Sequence, residues 1–124
     1  MANISLVRNF KAEAAVPAFT VVKLGTADGN VLPGAAVADF IFGTSTDIAA
    51  AINERCDVIC EGVADVLYGG AVTRGTLLTT DASGRAVTAA PAAGVNNRVI
   101  GVALISGVLG DVGSVLLSAG QIQG

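Results

Sequence analysis

The chain has 124 residues, 52% of them apolar and only 14% charged, with no histidine. That length supports a single core without covalent staples. A formal net charge of −3, with the basic residues scattered singly, excludes the clustered Lys and Arg that a nucleic-acid backbone requires, and the missing histidine removes the commonest general base and a frequent zinc ligand. From the N-terminus, polar and apolar residues alternate loosely (Asn3, Ile4, Leu6, Arg8, Phe10), which suits either an edge strand or an extended arm. An arm over residues 1–15 that orders on a partner is the expectation, followed by a β-rich domain over 16–124. Arg8, Lys11 and Glu13 interrupt the apolar run that a signal peptide would need.

Thr20 to Thr26 reads as a strand, Asp28-Gly29 as a hairpin turn and Asn30 to Leu32 as the return, ended by Pro33-Gly34. Asp39 to Thr44 is a further short strand. Ser45-Thr46-Asp47 offers N-cap residues to Ile48–Glu54, so one short helix is plausible there, with a strapped loop as the alternative. Asp57 to Tyr68 is the longest strand signal. Counting by twos, Val58, Cys60, Gly62, Ala64, Val66 and Tyr68 form a core face, leaving Ile59, Val63 and Leu67 between Asp57, Glu61 and Asp65 on the other. A solvated face has little use for three aliphatics in line, so Ile59, Val63 and Leu67 are expected to meet another copy of the chain, or to lie partly under a neighbouring loop; a bulge at Gly62 would mix the two faces.

Val72 to Ala90 holds a hairpin whose turn is Asp81-Ala-Ser-Gly84, with Asp opening the turn and Gly at the position needing positive φ. Pro91 to Asn97 is a loop, Arg98 to Ile105 a strand apolar on both faces, and Asp111 to Ser118 a final alternating strand. The run Val16–Leu24 resembles Val72–Thr80. Each is followed by a Gly turn (Gly29, Gly84), a Val (Val31, Val87) and a closing Ile41-Phe42-Gly43 or Val99-Ile100-Gly101. This pattern suggests an internal duplication of one β-unit, against a chance likeness of two Gly/Ala/Val-rich halves. Turn residues every eight to twelve positions predict an all-β fold, a compact β-sandwich or small β-barrel, with at most one short helix.

No catalytic, cofactor or metal constellation emerges. Gly70 to Thr76 has phosphate-loop glycine spacing but lacks its Lys and leads into a strand. Cys56 and Cys60, if on one strand, stand about 13 Å apart, too far for a disulfide, and are expected as free thiols of a protein made in a reducing cytoplasm. Val99 to Leu117 is the most membrane-like stretch, yet Asp111 opposes insertion at about 2.5–3.5 kcal/mol for a central position. With so few charges, part of the surface is expected to be buried against itself or another protein.

The series Gly62–Val66, Gly69–Val87, Arg98–Leu104 and Gly110–Leu117 resembles the small capsid cement, or head decoration, proteins of tailed bacteriophages, in the same order and over roughly residues 20–122. The resemblance implies a β-rich, non-enzymatic virion protein made in the bacterial host and set on the outer surface of the head. It implies a homotrimer bridging neighbouring copies of the major capsid protein against internal DNA pressure, without cofactors, membrane or direct nucleic-acid contact. In that setting Asn3, Ile4, Leu6, Arg8 and Phe10 would form the capsid-binding arm. A tail-tube or fibre-associated structural β-protein is the alternative.

Overall fold

The Asp81 carboxylate closes the expected turn, its Oδ1 accepting the N–H of Ser83 at 2.8 Å and of Arg85 at 2.9 Å while Gly84 takes φ 77°. Gly29 takes φ 80° in the earlier hairpin. In the computed structural model, which describes residues 3–124, these turns belong to nine strands: β1 Asn3–Ala12, β2 Val21–Leu24, β3 Asn30–Pro33, β4 Ile41–Ser45, β5 Arg55–Leu67, β6 Leu77–Thr80, β7 Ala86–Thr88, β8 Asn96–Ala103 and β9 Val112–Gln123. Met1 and Ala2, the start of the expected arm, lie outside the described residues.

All nine strands hydrogen-bond in the order β1-β3-β2-β4-β5-β9-β8-β6-β7, and β1 also pairs with β5. That extra pairing closes β1, β3, β2, β4 and β5 into a small barrel. A parallel bridge from Tyr68, just beyond β5, to Ala86 on β7 closes β5, β9, β8, β6 and β7 into a second. The all-β expectation holds, in its barrel form, and β5 is the strand common to both rings.

The duplication is written in the hydrogen bonds. β2 pairs with β3 and β4, and β6 pairs with β7 and β8 in the same antiparallel senses. Val16 and Ala50 exchange backbone bonds of 2.8 and 2.9 Å, as Val72 and Gly107 do at 2.9 and 3.0 Å. Glu54 accepts the Ala51 N–H at 2.8 Å, as Asp111 accepts that of Val108 at 2.9 Å. β1 runs antiparallel to the first half of β5 just as the second half of β5 runs antiparallel to β9. One pairing differs from expectation: the counterpart of Val31 is Ala86 rather than Val87, because Leu24 pairs with Val31 and Thr80 with Ala86. Both are fully buried.

Each barrel has its own core. Ala12, Val16, Val22, Val31, Cys56 and Val58 fill the first. Ala64, Val66, Tyr68, Leu78, Ile100 and Val115 fill the second, joined by Val21, Ile41 and Ile59 from the outer side of the first barrel. No helix occurs among the described residues. The Ile48–Glu54 stretch is the strapped loop: Ala50 spends its backbone groups on Val16, which precludes a helical ladder.

Candidate functional site

The segment expected as an arm is a ten-residue strand, β1, laid along β5 from Asn3 opposite Val63 to Lys11 opposite Arg55. Two register shifts around Leu6 bend it. Its other edge pairs only at Lys11 and Ala12, with β3. From Asn3 to Asn9, therefore, one side of the strand has no strand partner among the described residues. Asn3, Ile4, Leu6, Val7 and Arg8 are exposed. The Arg8 guanidinium lies 5.9 Å from the centre of the Phe10 ring, and Phe10 packs edge-on to Phe42 at 5.3 Å. Phe10 is thus the half-buried anchor of β1, and Ile4, Leu6 and Arg8 are its free surface.

On β5 the faces divide at Gly62, whose φ of 98° marks the irregularity. Ala64, Val66 and Tyr68 point into the second core as expected, and Val63 and Leu67 remain partly exposed on the outside. Ile59 differs. It lies outside the first barrel, as the alternation implies, but the second barrel packs on it and leaves it only 4% exposed. Its apolar surface is spent within the chain, so only Val63 and Leu67 of the three expected interface residues are available to another molecule.

A cleft of about 300 Å³ lies where the barrels meet, lined by Ile4, Phe19, Asp47, Ile59 and Asp65 among others. A second groove, of about 470 Å³, is bounded by Phe40, Phe42, Gln121 and Arg98, whose guanidinium stacks 3.8 Å from the Phe40 ring centre. Ser45 and Thr46 also line the first cleft, where the Ser45 hydroxyl donates to the Pro17 carbonyl at 2.7 Å and accepts the Thr20 N–H at 2.9 Å, and Thr46 Oγ1 accepts the Ile48 N–H at 3.2 Å. Tyr68 is fully buried and donates its hydroxyl proton to the Ile105 carbonyl at 2.7 Å, and burial pushes its pKa up. Cys56 and Cys60 are free, with burial raising both thiols. Lys23 is held by Asp39 at 3.1 Å. Among the described residues no three His, Cys, Asp or Glu side chains gather as a metal site.

Sequence reasoning missed the exposed aliphatics of the second barrel: Leu116 on β9, and Ile105 and Leu109 on the loop before it. The signal was present in the duplication, because Leu116 stands where the first barrel has Ile59.

Comparison with known proteins follows the same outline. The fold is similar to the N base of head fiber gp8.5 in bacteriophage phi29, with a TM-score of 0.68 and 16% sequence identity over 96% of this chain and 98% of that one. At that identity the likeness speaks for the fold alone. No curated protein matches the sequence. The phage cement protein family matches it over residues 3–117, which takes in eight complete strands and the first half of β9. The chain belongs to the phage cement protein family.

Proposed function

We propose that this protein binds the outer surface of a phage capsid as a homotrimer and cements neighbouring copies of the major capsid protein, holding the head against the pressure of its DNA. The observation that carries the reading, beside family membership, is β1: an edge strand with one side unpaired from Asn3 to Asn9 and with Ile4 and Leu6 exposed. Such an edge is ready for strand addition, in which backbone bonds give affinity and alternate side chains fill pockets. Asn3, Ile4, Leu6 and Arg8 would touch the shell, with Phe10 holding the strand in place. Several modest contacts per oligomer reinforce one another through effective concentration, so no single strong site is needed.

The test is cosedimentation with undecorated, expanded heads, counting bound copies per major capsid subunit. Saturation at a fixed simple ratio supports cementing. The variant Leu6→Asp should bind at least tenfold more weakly while keeping the wild-type unfolding midpoint. Equal binding by that variant would reject the β1 surface, and no binding by the wild type would reject the capsid reading.

A second reading is that of a fibre-associated protein, favoured by the likeness to a head-fiber base over nearly its whole length. It predicts binding at a few sites per head and capture of a further protein, without added resistance of the head to heat.

A further inference from the structure

The duplicated hydrogen bonds match two loops residue for residue. Ile48–Glu54 is tied by its backbone to Val16 and Ala12, and Ile105–Asp111 is tied in the same way to Val72 and Tyr68. Ala50 corresponds to Gly107, Asn53 to Gly110 and Glu54 to Asp111, so Ile48 corresponds to Ile105 and Ile52 to Leu109. Both positions carry a large branched aliphatic in both loops, and every one is open to solvent: Ile48 is 73% and Ile105 46% exposed, and Ile52 and Leu109 are each 60% exposed.

Single exposed aliphatics are ordinary on a protein surface. Here the same two positions are filled alike in both repeats, although the loop scaffold makes no use of them. Backbone bonds and the carboxylates of Glu54 and Asp111 shape each loop, and the side chains it buries are those of Val16 and Ala50 in one barrel and of Val72 in the other. Each loop is therefore an apolar knob of the same form, presented outward.

β5 sets the distance between the knobs. The first loop runs directly into Arg55, where β5 begins. Tyr68, the residue after β5 ends, accepts the Gly110 N–H of the second loop at 3.0 Å and donates its own N–H to the Asp111 carbonyl at 2.8 Å. The knobs thus stand at opposite ends of a strand of 13 residues, about 40 Å long at ~3.3 Å per residue.

We infer that the two loops are equivalent docking knobs, each inserting its aliphatic pair, Ile48 with Ile52 or Ile105 with Leu109, into the same apolar depression on one of two neighbouring copies of the major capsid protein. This rests on the capsid reading above. The occupant is a repeated one because like knobs fit like sites, and a shell of identical subunits presents one site again and again at a fixed spacing. Two modest sites joined by a stiff strand reinforce each other through effective concentration. A molecule gripped at both ends also braces one subunit against the next.

The experiment adds the double variants Ile48→Ser/Ile52→Ser and Ile105→Ser/Leu109→Ser to undecorated, expanded heads, with sedimentation velocity of each variant alone. Each variant should keep the wild-type unfolding midpoint and mass. Each should bind heads about a hundredfold more weakly, because either loss frees one of two tethered ends. Heads saturated with either variant should rupture at the temperature of undecorated heads, since a molecule held at one end braces nothing. Wild-type affinity or wild-type heat resistance with either variant overturns the inference and leaves the capsid reading standing, whereas a wild type that does not bind overturns both. A variant of altered mass would assign its loop to contacts between copies and would also overturn the inference. Should a double variant unfold, Ile52→Ser and Leu109→Ser singly take its place.

Discussion

Asn53 and Gly110 occupy the same point of the two barrels: each takes a left-handed backbone, φ 67° and 90°, and each donates its N–H across the barrel end, to the Ala12 carbonyl at 2.7 Å and the Tyr68 carbonyl at 3.0 Å. Asn tolerates this conformation better than most side chains, and Gly carries no penalty. Gly110→Ala should therefore cost about 1 kcal/mol although no atom stands near its would-be Cβ, whereas Asn53→Gly should change stability by only a few tenths. Urea unfolding midpoints check both; an unchanged Gly110→Ala midpoint would contradict the assignment.

Glu13 bears on the acid limb of stability. The Thr26 hydroxyl (2.7 Å), the Asn30 side-chain amide (3.2 Å) and the Thr26 N–H (2.8 Å) all donate to its Oε1 and hold its pKa below the ordinary 4.5. Because the folded value is depressed, the unfolded chain binds more protons in the window below 4.5. The stabilisation is complete above that pH and is lost as pH falls through the folded value. Glu13→Gln should flatten the decline of the thermal midpoint below pH 4.5, and an unaltered slope would count against this hydrogen-bond set.

Gly113 and Tyr68 are coupled by contact. A Cβ at Gly113 would run into the Tyr68 ring and hydroxyl, and Tyr68 has no room to yield because it is fully buried. Gly113→Ala should destabilise by about 2–3 kcal/mol through overpacking. Tyr68→Phe should cost about 1–2 kcal/mol by leaving the Ile105 carbonyl without its donor. Calorimetric unfolding of the two variants measures the order of the effects.

Thr79 offers a change in the other direction. Its Oγ1 and that of Thr44 are buried without a hydrogen-bond partner. Replacing the Thr79 hydroxyl by a methyl removes a desolvated, unpaired group, so Thr79→Val should raise stability by about 1 kcal/mol. A lowered denaturation midpoint would show that the hydroxyl is satisfied in solution.

Much of this fold was legible because turns announce themselves. Asp81 and Gly84 place one hairpin and Gly29 another, and β5 displays its core face by alternation. The duplication was legible as well, apart from the Val31 pairing. Measured from the turn glycines, Val31 and Ala86 are equidistant, and matching Val to Val instead moves the alignment by one residue. What alternation cannot convey is which outward face another part of the chain will cover. Ile59 and Val63 read alike in sequence, yet the second barrel buries the first and spares the second. The site was legible to a similar depth. The exposed residues of β1 were singled out, but its union with β5 was not, because that pairing joins residues some fifty positions apart and leaves no local mark.

The place of β5 in both barrels has a mechanical consequence. Val63 pairs with Asn3 of β1 on one edge and with Leu116 of β9 on the other, so the two ladders overlap on a single backbone. Antiparallel hydrogen bonds stand across the strands. Tension drawing the far ends of the molecule apart along β5 is borne by that covalent chain and loads each ladder in shear. Rows of bonds held in this way share the force and fail together rather than peeling one after another, as a staple holds where a zipper would open.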